Sequence, residues 1–157
     1  MATQDTVILK CDFNNEAHTQ AVKSLMNAYI EDEMGGGEPL GDADGQRLID
    51  GLQRYKTITL LAESGGVFCG LLVAFENFST FTVRPMINIH DVFTAPTHRG
   101  KGIGRRLMEA LIAEAQRLNA SRITLEVRDD NLGAQKLYRS MGFNDVEPPH
   151  FYWRKYL

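Results

Sequence analysis

The stretch VFTAPTHRGKGIGRRLMEALIAEAQRL, residues 92–118, decides the fold of this chain. It begins as an apolar strand, passes through a loop with glycines at 100, 102 and 104, and continues as a long amphipathic helix. Unpaired N–H groups and the helix dipole attract anions at such a helix start, and glycines let a phosphate approach the backbone. Four cationic side chains surround the same point: Arg99, Lys101, Arg105 and Arg106. The segment therefore predicts a pyrophosphate cradle.

The spacing of these glycines excludes two familiar phosphate-binding loops. A P-loop requires G-x-x-x-x-G-K-[ST], and the chain contains no such string. A dinucleotide fingerprint requires G-x-G-x-x-G, but counting from Gly100 the last position is Arg105. The string from Arg99 to Gly104 reads R-x-x-G-x-G instead. It resembles the acyl-CoA loop of the GNAT superfamily of N-acetyltransferases.

A second motif carries the same resemblance. Residues 122–143, RITLEVRDDNLGAQKLYRSMGF, contain an alternating apolar strand, a polar break and a short helix that stops at Gly142. The pattern N-x-x-A-x-x-L-Y-x-x-x-G-F within this stretch is similar to the segment that follows the acyl-CoA loop in the same superfamily. The likeness covers residues 58–157 well and the first third of the chain in outline.

The order of the elements predicts an α/β fold that forms one domain over residues 1–157. Strands are predicted at 6–11, 57–63, 67–75, 87–95 and 122–128, with a closing pair in FNDVEP and FYWRKYL. Helices are predicted at 16–30, after Asp42 or Asp44, at 103–118 and after Asn131. The glycines at 35–37, followed by Pro39, are typical of a flexible loop. We expect the GNAT fold, a mixed and mostly antiparallel sheet of about six or seven strands with helices on both faces.

Composition narrows the classes of function. The formal net charge is −3, and 24% of residues are charged with both signs mixed, whereas a nucleic-acid binder carries a basic stripe. The segment MATQDTVILK has no apolar region of a signal peptide, and no apolar run reaches membrane-spanning length. Cys11 and Cys69 show no metal-ligand spacing and are expected to be buried free thiols in a reducing compartment. We expect a cytoplasmic, soluble protein without a metal.

The resemblance implies acetyl-CoA as the donor and direct transfer to a primary amine of a small molecule, diamine-like or lysine-like. Tyr138 would protonate the departing thiolate, unless its ring simply packs in the core. Backbone groups of Phe93 and Thr94 would pair with pantetheine, and Asn131 would bind the same arm or only cap the short helix. The predicted pyrophosphate contacts come from consecutive residues: Arg99, Gly100, Lys101, Gly102, Ile103, Gly104 and Arg105.

The base that deprotonates the amine is predicted on the strand leading to the glycine loop. His90 and Asp91 point to opposite faces of a regular strand, unless a bulge changes the parity. Residues 77–93 resemble the diamine and polyamine acetyltransferase branch, whose members carry Asn-Tyr-Ser-Thr and later Leu-Glu-Asp here. His90 replaces that glutamate, so it offers a base near neutral pH but no anionic anchor. A buried core histidine is the alternative for His90, and Asp91 requires either a structural partner or a cationic substrate.

The acceptor side is predicted around the glycines at 35–37, which the resemblance places over the acceptor site. Glu31, Asp32, Glu33 and Glu38 form an acidic rim there, or else a solvated surface. Glu33 and Phe78 join Asp91 as predicted substrate contacts. Two alternatives remain open, a protein or peptide N-acetyltransferase and a non-catalytic acyl-CoA-binding regulatory module. The fold commonly dimerises, and the aromatic FYWRKYL segment is compatible with a homodimer.

Overall fold

The computed structural model describes residues 5–157, which fall into two compact units divided after Glu126. The first unit contains β1 (Thr6–Lys10), α1 (Glu16–Ile30), α2 (Asp42–Arg54), β2 (Thr57–Ser64), β3 (Val67–Ser79), β4 (Arg84–Thr94), α3 (Ile103–Arg117) and β5 (Ile123–Leu125). The second unit contains α4 (Leu132–Ser140). Part of the MATQDTVILK segment, residues 1–4, lies outside the described residues. None of the helices in residues 5–157 is long and apolar enough to cross a membrane.

The sheet has the order β1-β2-β3-β4-β5, antiparallel throughout except for the parallel pair of β4 and β5. The predicted mixed and mostly antiparallel α/β sheet is confirmed. The described residues form five strands, whereas about six or seven were predicted. The expected closing pair is absent, since residues 141–157 contain no strand. Pro148 and Pro149 have no N–H to donate, and Phe151 and Trp153 are exposed, so this segment buries no apolar face.

The hairpin of β3 and β4 is longer than the sequence indicates. Residues 75–85 show no periodicity, yet β3 continues to Ser79 and pairs with β4 from Arg84 onward. Asn77 and Phe78 are both exposed, and the residue buried at the end of β3, Ser79, is polar. A strand segment that buries no apolar side chain has no reason to alternate apolar and polar residues.

Helices cover both faces of the sheet in the first unit, as predicted. Buried residues of α1 and α2, among them Val22 and Ile49, pack in one cluster with Leu71, Val73 and Phe93 of the sheet. The helix α3 covers the other face. A Cβ added at Gly70 would lie 2.9 Å from the Ile103 side chain and 3.2 Å from Leu107. Both cysteines are free and buried, as predicted.

The segment between α1 and α2 contains a hydrogen-bonded turn at the glycines that predicted a flexible loop. The Gly35 amide donates to the Asp32 carbonyl at 2.8 Å, and the Gly37 amide donates to the Ile30 carbonyl at 2.9 Å. A Cβ on Gly35 would lie 2.0 Å from the Tyr29 carbonyl oxygen, so this position requires glycine. The turn is therefore stabilised by its own backbone hydrogen bonds.

Candidate active site

The glycine loop that follows β4 forms an open cradle at the start of α3. Gly100 and Gly102 adopt φ angles of 76° and 78°, in the left-handed region. Gly102 caps α3 without a side-chain hydrogen bond, and its carbonyl accepts from the Arg106 amide at 3.1 Å. The amides of Ile103 and Gly104 precede this bond and have no intrahelical acceptor. No atom lies within 4 Å of a Cβ built on Gly100 or Gly102. The cradle therefore offers amide donors to an anion in open space.

The predicted cofactor residues of this loop differ in what they can offer. The side chains of Lys101 and Arg105 are exposed beside the first turn of α3. Ile103 is 2% exposed and packs in the core, so only its backbone can reach a ligand. Arg99 extends in another direction, and its Nη2 atom lies 2.6 Å from a carboxylate oxygen of Asp32.

A β-bulge at His90 turns two titratable side chains to one face of the sheet. Val73 pairs with Asp91 and Ala74 pairs with Ile89, so His90 has no partner on β3. Asp91 therefore shares the face of Val73, which belongs to the cluster beneath α1 and α2. The His90 ring lies 4.5 Å from the ring of Phe75, which packs against the same cluster. The sequence alone did not decide whether His90 and Asp91 lie on the same face of the sheet.

Asp91 is a partly buried carboxylate that lies next to His90. No side chain within residues 5–157 donates a hydrogen bond to it or forms an ion pair with it. Burial raises the pKa of Asp91, and the neighbouring His90 offsets part of that rise. The His90 side chain is exposed, which excludes the alternative of a buried core histidine. The pair can hold a cationic group at Asp91 and exchange a proton with solvent at His90.

The end of β4 leaves one backbone edge open. Within residues 5–126, β5 pairs with β4 only from Ile87 to Ile89. The edge from His90 to Thr94 therefore has a strand partner on the β3 side alone. The Phe93 side chain is buried and stacks on Tyr29 at 5.5 Å, so Phe93 can offer a ligand only its backbone. An extended ligand can hydrogen-bond to such an edge as an added strand does.

Two predicted residues belong to the second unit. The Asn131 side-chain oxygen accepts from the Ala134 amide at 3.1 Å, which makes Asn131 the N-cap of α4. Tyr138 lies on α4, half buried, with its ring 6.0 Å from that of Phe143. Their contacts with a CoA ligand stay predictions.

The predicted acceptor residues do not form one group. Glu33 is exposed in the turn between α1 and α2. Phe78 is 60% exposed and pairs with Pro85, six positions before Asp91 on β4. Six strand residues span about 20 Å, so only an extended acceptor would reach both Phe78 and Asp91. Within residues 5–157, no group of three or more His, Cys, Asp or Glu side chains could hold a metal ion.

The structure places two residues against this region that the sequence did not assign to these contacts: Tyr29 was not named as a site residue, and Asp32 was named only as part of the acidic rim. Tyr29 stacks on Phe93, and Asp32 binds Arg99, 67 residues further along the chain. The signal in the sequence was weak, because Tyr29 follows the helical apolar pattern of α1 and Asp32 is one of three adjacent acids.

Comparisons with known proteins agree with this architecture. The model of the acetyltransferase (GNAT) family matches residues 22–143. An uncharacterized N-acetyltransferase, YhfO of Bacillus subtilis, is 30% identical over 60% of this chain and 63% of its own length. The N-alpha-acetyltransferase RimI of Mycobacterium tuberculosis is 37% identical over 59% of this chain and 56% of its own length. The matches thus span little more than half of these relatives.

A solved structure shows the same fold. AAC(6')-Iy, crystallised with the bisubstrate analogue CoA-S-monomethyl-acetylneamine, superposes with a TM-score of 0.75 over 96% of this chain and 99% of its own. Its sequence identity is 18%, so the likeness concerns the fold alone.

Proposed function

The chain belongs to the acetyltransferase (GNAT) family, and on that premise we propose that it transfers an acetyl group from acetyl-CoA to a primary amine. One observation carries the proposal furthest. The end of β4 joins an open anion cradle at α3 to the Asp91 carboxylate, which has no counter-ion among residues 5–157. An anion cradle suits the pyrophosphate of the donor, and a partly buried carboxylate without an ion-pair partner suits an ammonium group.

The donor side follows from the cradle and the open edge of β4. The amides at the start of α3 would hold the pyrophosphate, with Lys101 and Arg105 as cations beside it. The edge that ends at Phe93 and Thr94 would pair with the pantetheine arm and would supply an N–H to polarise the thioester carbonyl. Bound acetyl-CoA supplies the activated thioester. The residues of the chain orient it and keep it within reach of the amine.

The acceptor side uses the two residues at the bulge. Asp91 anchors the ammonium group of the acceptor, because an incoming cation restores the charge balance that the folded chain lacks. His90, exposed beside it, takes the proton directly or through a water and releases it to solvent. The neutral amine then has the lone pair that attacks the carbonyl carbon.

Tyr138 completes the proposal as the acid. A phenol is a suitable proton donor to a thiolate leaving group, and the N-x-x-A-x-x-L-Y motif supports this role. The oxygen of Asn131 caps α4, and its amide nitrogen would be available to pantetheine as a donor. The family model crosses the boundary at Glu126, which supports a single acetyltransferase domain composed of both units.

For the acceptor we propose a small diamine-like or lysine-like molecule, bound by a protein that works as a homodimer in the cytoplasm. The likeness of residues 77–93 to the diamine and polyamine branch supports this class, although His90 stands where that branch has glutamate. An extended diamine would also account for the separation of Asp91 and Phe78 along β4.

A second acceptor class is the N-terminal amine of a peptide. The similarity to the N-alpha-acetyltransferase RimI favours this class. That enzyme is 37% identical to this chain over 95 residues and is named for the acetylation of N-terminal amines. A peptide is extended, so it too could reach from Asp91 toward Phe78.

A panel of amines tests the proposal. Purified protein is incubated with acetyl-CoA and diamines, polyamines, lysine analogues, amino acids, aminoglycosides or peptides, and the release of free thiol is followed. We expect release with diamines or lysine analogues. Release with peptides alone would favour the second class. Binding of acetyl-CoA without release for any amine would favour a regulatory acyl-CoA-binding module.

A further inference from the structure

The ion pair of Asp32 and Arg99 connects two segments that are proposed to serve different ligands. The turn after α1 lies on the side of the amine, and the glycine loop lies on the side of acetyl-CoA. Asp32 lies in the turn after α1, and Arg99 opens the glycine loop after β4. The Arg99 Nη2 atom donates to a carboxylate oxygen of Asp32 at 2.6 Å. The side chain of Asp32 is 15% exposed and that of Arg99 is 50% exposed. The acid is therefore shielded from water, unlike the carboxylates of ordinary surface pairs.

Both oxygens of Asp32 are occupied. One accepts from Arg99, and the other accepts from the Met34 amide at 3.1 Å. The Asp32 carbonyl accepts from the Gly35 and Gly36 amides at 2.8 and 3.1 Å. The hydrogen bond from Arg99 holds the pKa of Asp32 below its ordinary value. Asp32 is thus the residue around which the turn from 32 to 37 is built.

Arg99 is fixed by three partners, and each belongs to the region of the proposed site. Its Nε atom donates to the Thr94 carbonyl at 3.1 Å, and its guanidinium lies 5.8 Å from the centre of the Phe93 ring. Phe93 in turn stacks on Tyr29, three residues before Asp32. The contacts close a ring that runs from Tyr29 through Phe93 and Arg99 to Asp32.

This ring places the turn after α1 over a defined part of the sheet. Phe93 and Asp91 lie opposite Leu71 and Val73, on the face that α1 covers. The turn that begins at Asp32 therefore adjoins the face on which Asp91 is proposed to hold the amine. Its position is set by Arg99, the first residue of the cradle loop.

We infer that Asp32 is a positioning residue for the acceptor, which it serves by holding the turn of residues 32–37 against the cradle loop through Arg99. The inference rests on the proposed function for its kinetic consequence. It assigns the Arg99 side chain to the acceptor side, while the pyrophosphate is left to the α3 amides, Lys101 and Arg105. Loss of the Asp32 charge releases the turn without removing a donor contact.

Asp32→Asn tests this role, with Asp44→Asn as the matched control. The Asp44 carboxylate forms an exposed ion pair with Arg47 at 2.9 Å on α2, so the control breaks an ion pair by the same chemical change. We expect Asp32→Asn to raise the KM for the amine about tenfold, with kcat and the Kd of acetyl-CoA each within about twofold of wild type. Asp44→Asn should leave all three unchanged. Asp32→Glu keeps the charge and should recover most of the lost affinity for the amine.

Two further measurements make the result decisive. Hydrogen exchange at the amides of residues 34–37 should be faster in Asp32→Asn than in wild type, and Arg99→Gln should reproduce this change. The double variant Asp32→Asn/Arg99→Gln should exchange no faster than either single variant, because both substitutions break the same ion pair. The exchange measurement needs no turnover, so it tests whether Asp32 and Arg99 hold the turn separately from the proposed function. A wild-type amine KM with unchanged exchange, or a tighter acetyl-CoA Kd in Asp32→Asn because Arg99 now binds phosphate, would overturn it.

Discussion

Replacing Gly102 with alanine separates the conformational role of this glycine from its role in ligand binding. The φ angle of Gly102 is 78°, and a Cβ there would meet no atom within 4 Å. The methyl group therefore clashes with nothing in the protein. It lowers the free energy of unfolding by about 1–2 kcal/mol, because alanine is strained in the left-handed region. It also occupies the space through which a phosphate would reach the amides of Ile103 and Gly104.

Gly66 provides a matched control for this substitution. It adopts a φ angle of 79° in the β2–β3 hairpin, and its Cβ would likewise meet no atom within 4 Å. Gly66→Ala should therefore lower the free energy of unfolding by about 1–2 kcal/mol, the same amount as Gly102→Ala. Only the cradle variant should lose affinity for acetyl-CoA. Loss of one hydrogen bond to a charged group costs about 1.5–3 kcal/mol, which corresponds to a roughly 10- to 100-fold weaker Kd.

Urea unfolding and isothermal titration calorimetry measure the two effects separately. Equal losses of stability with a weaker acetyl-CoA Kd in Gly102→Ala alone would support the cradle. Equal Kd values for the two variants and wild type would refute the assignment of the pyrophosphate to the start of α3.

Three further predictions concern residues 59, 91 and 138. The buried hydroxyl of Thr59 has no hydrogen-bond partner among residues 5–157, so Thr59→Val should raise the free energy of unfolding by about 1 kcal/mol. Thr57→Val loses a 2.6 Å bond to the Leu52 carbonyl and should lower the free energy of unfolding by about as much. A less stable Thr59→Val variant would contradict this. Burial raises the pKa of Asp91. At pH values between the ordinary and the raised pKa, the folded chain therefore binds more protons than the unfolded chain. The free energy of unfolding falls as the pH rises through that range. Asp91→Asn should abolish this fall and raise stability at neutral pH while it removes most turnover; an unchanged stability–pH profile would count against it. Tyr138→Phe should lower kcat at least tenfold with an unchanged acetyl-CoA Kd, and normal turnover would exclude Tyr138 as the acid.

Local sequence was sufficient to predict the backbone of the glycine loop and the start of α3. Positive φ angles at Gly100 and Gly102 follow from glycine spacing ahead of an amphipathic helix, and all of these features lie within a few residues of one another. The long-range features could not be predicted in this way. The stretch that contains His90 fits a regular or a bulged strand equally, and the pairing with β3 decides between them.

The same limit explains the remaining differences. Three adjacent acids at 31–33 give no indication of which one binds Arg99, because that choice depends on the packing of α1 against β4. The aromatic residues of FYWRKYL are typical of a strand, but a strand also requires a partner edge and a buried face. The exposed Phe151 and Trp153 have no such face. The glycines after α1 predicted a flexible loop. The hydrogen bonds that order this turn are made by backbone groups, so the side-chain sequence gives no sign of them.

The most direct test compares the acetylated amine formed with the CoA released in one reaction, for wild type and Asp91→Asn. With the best amine of the panel, the account predicts one acetylated amine for each CoA released by wild type. It also predicts that both products fall together in Asp91→Asn, while acetyl-CoA still binds. CoA release without acetylated amine, or an undiminished yield from Asp91→Asn, would contradict an amine acetyltransferase that works at the end of β4.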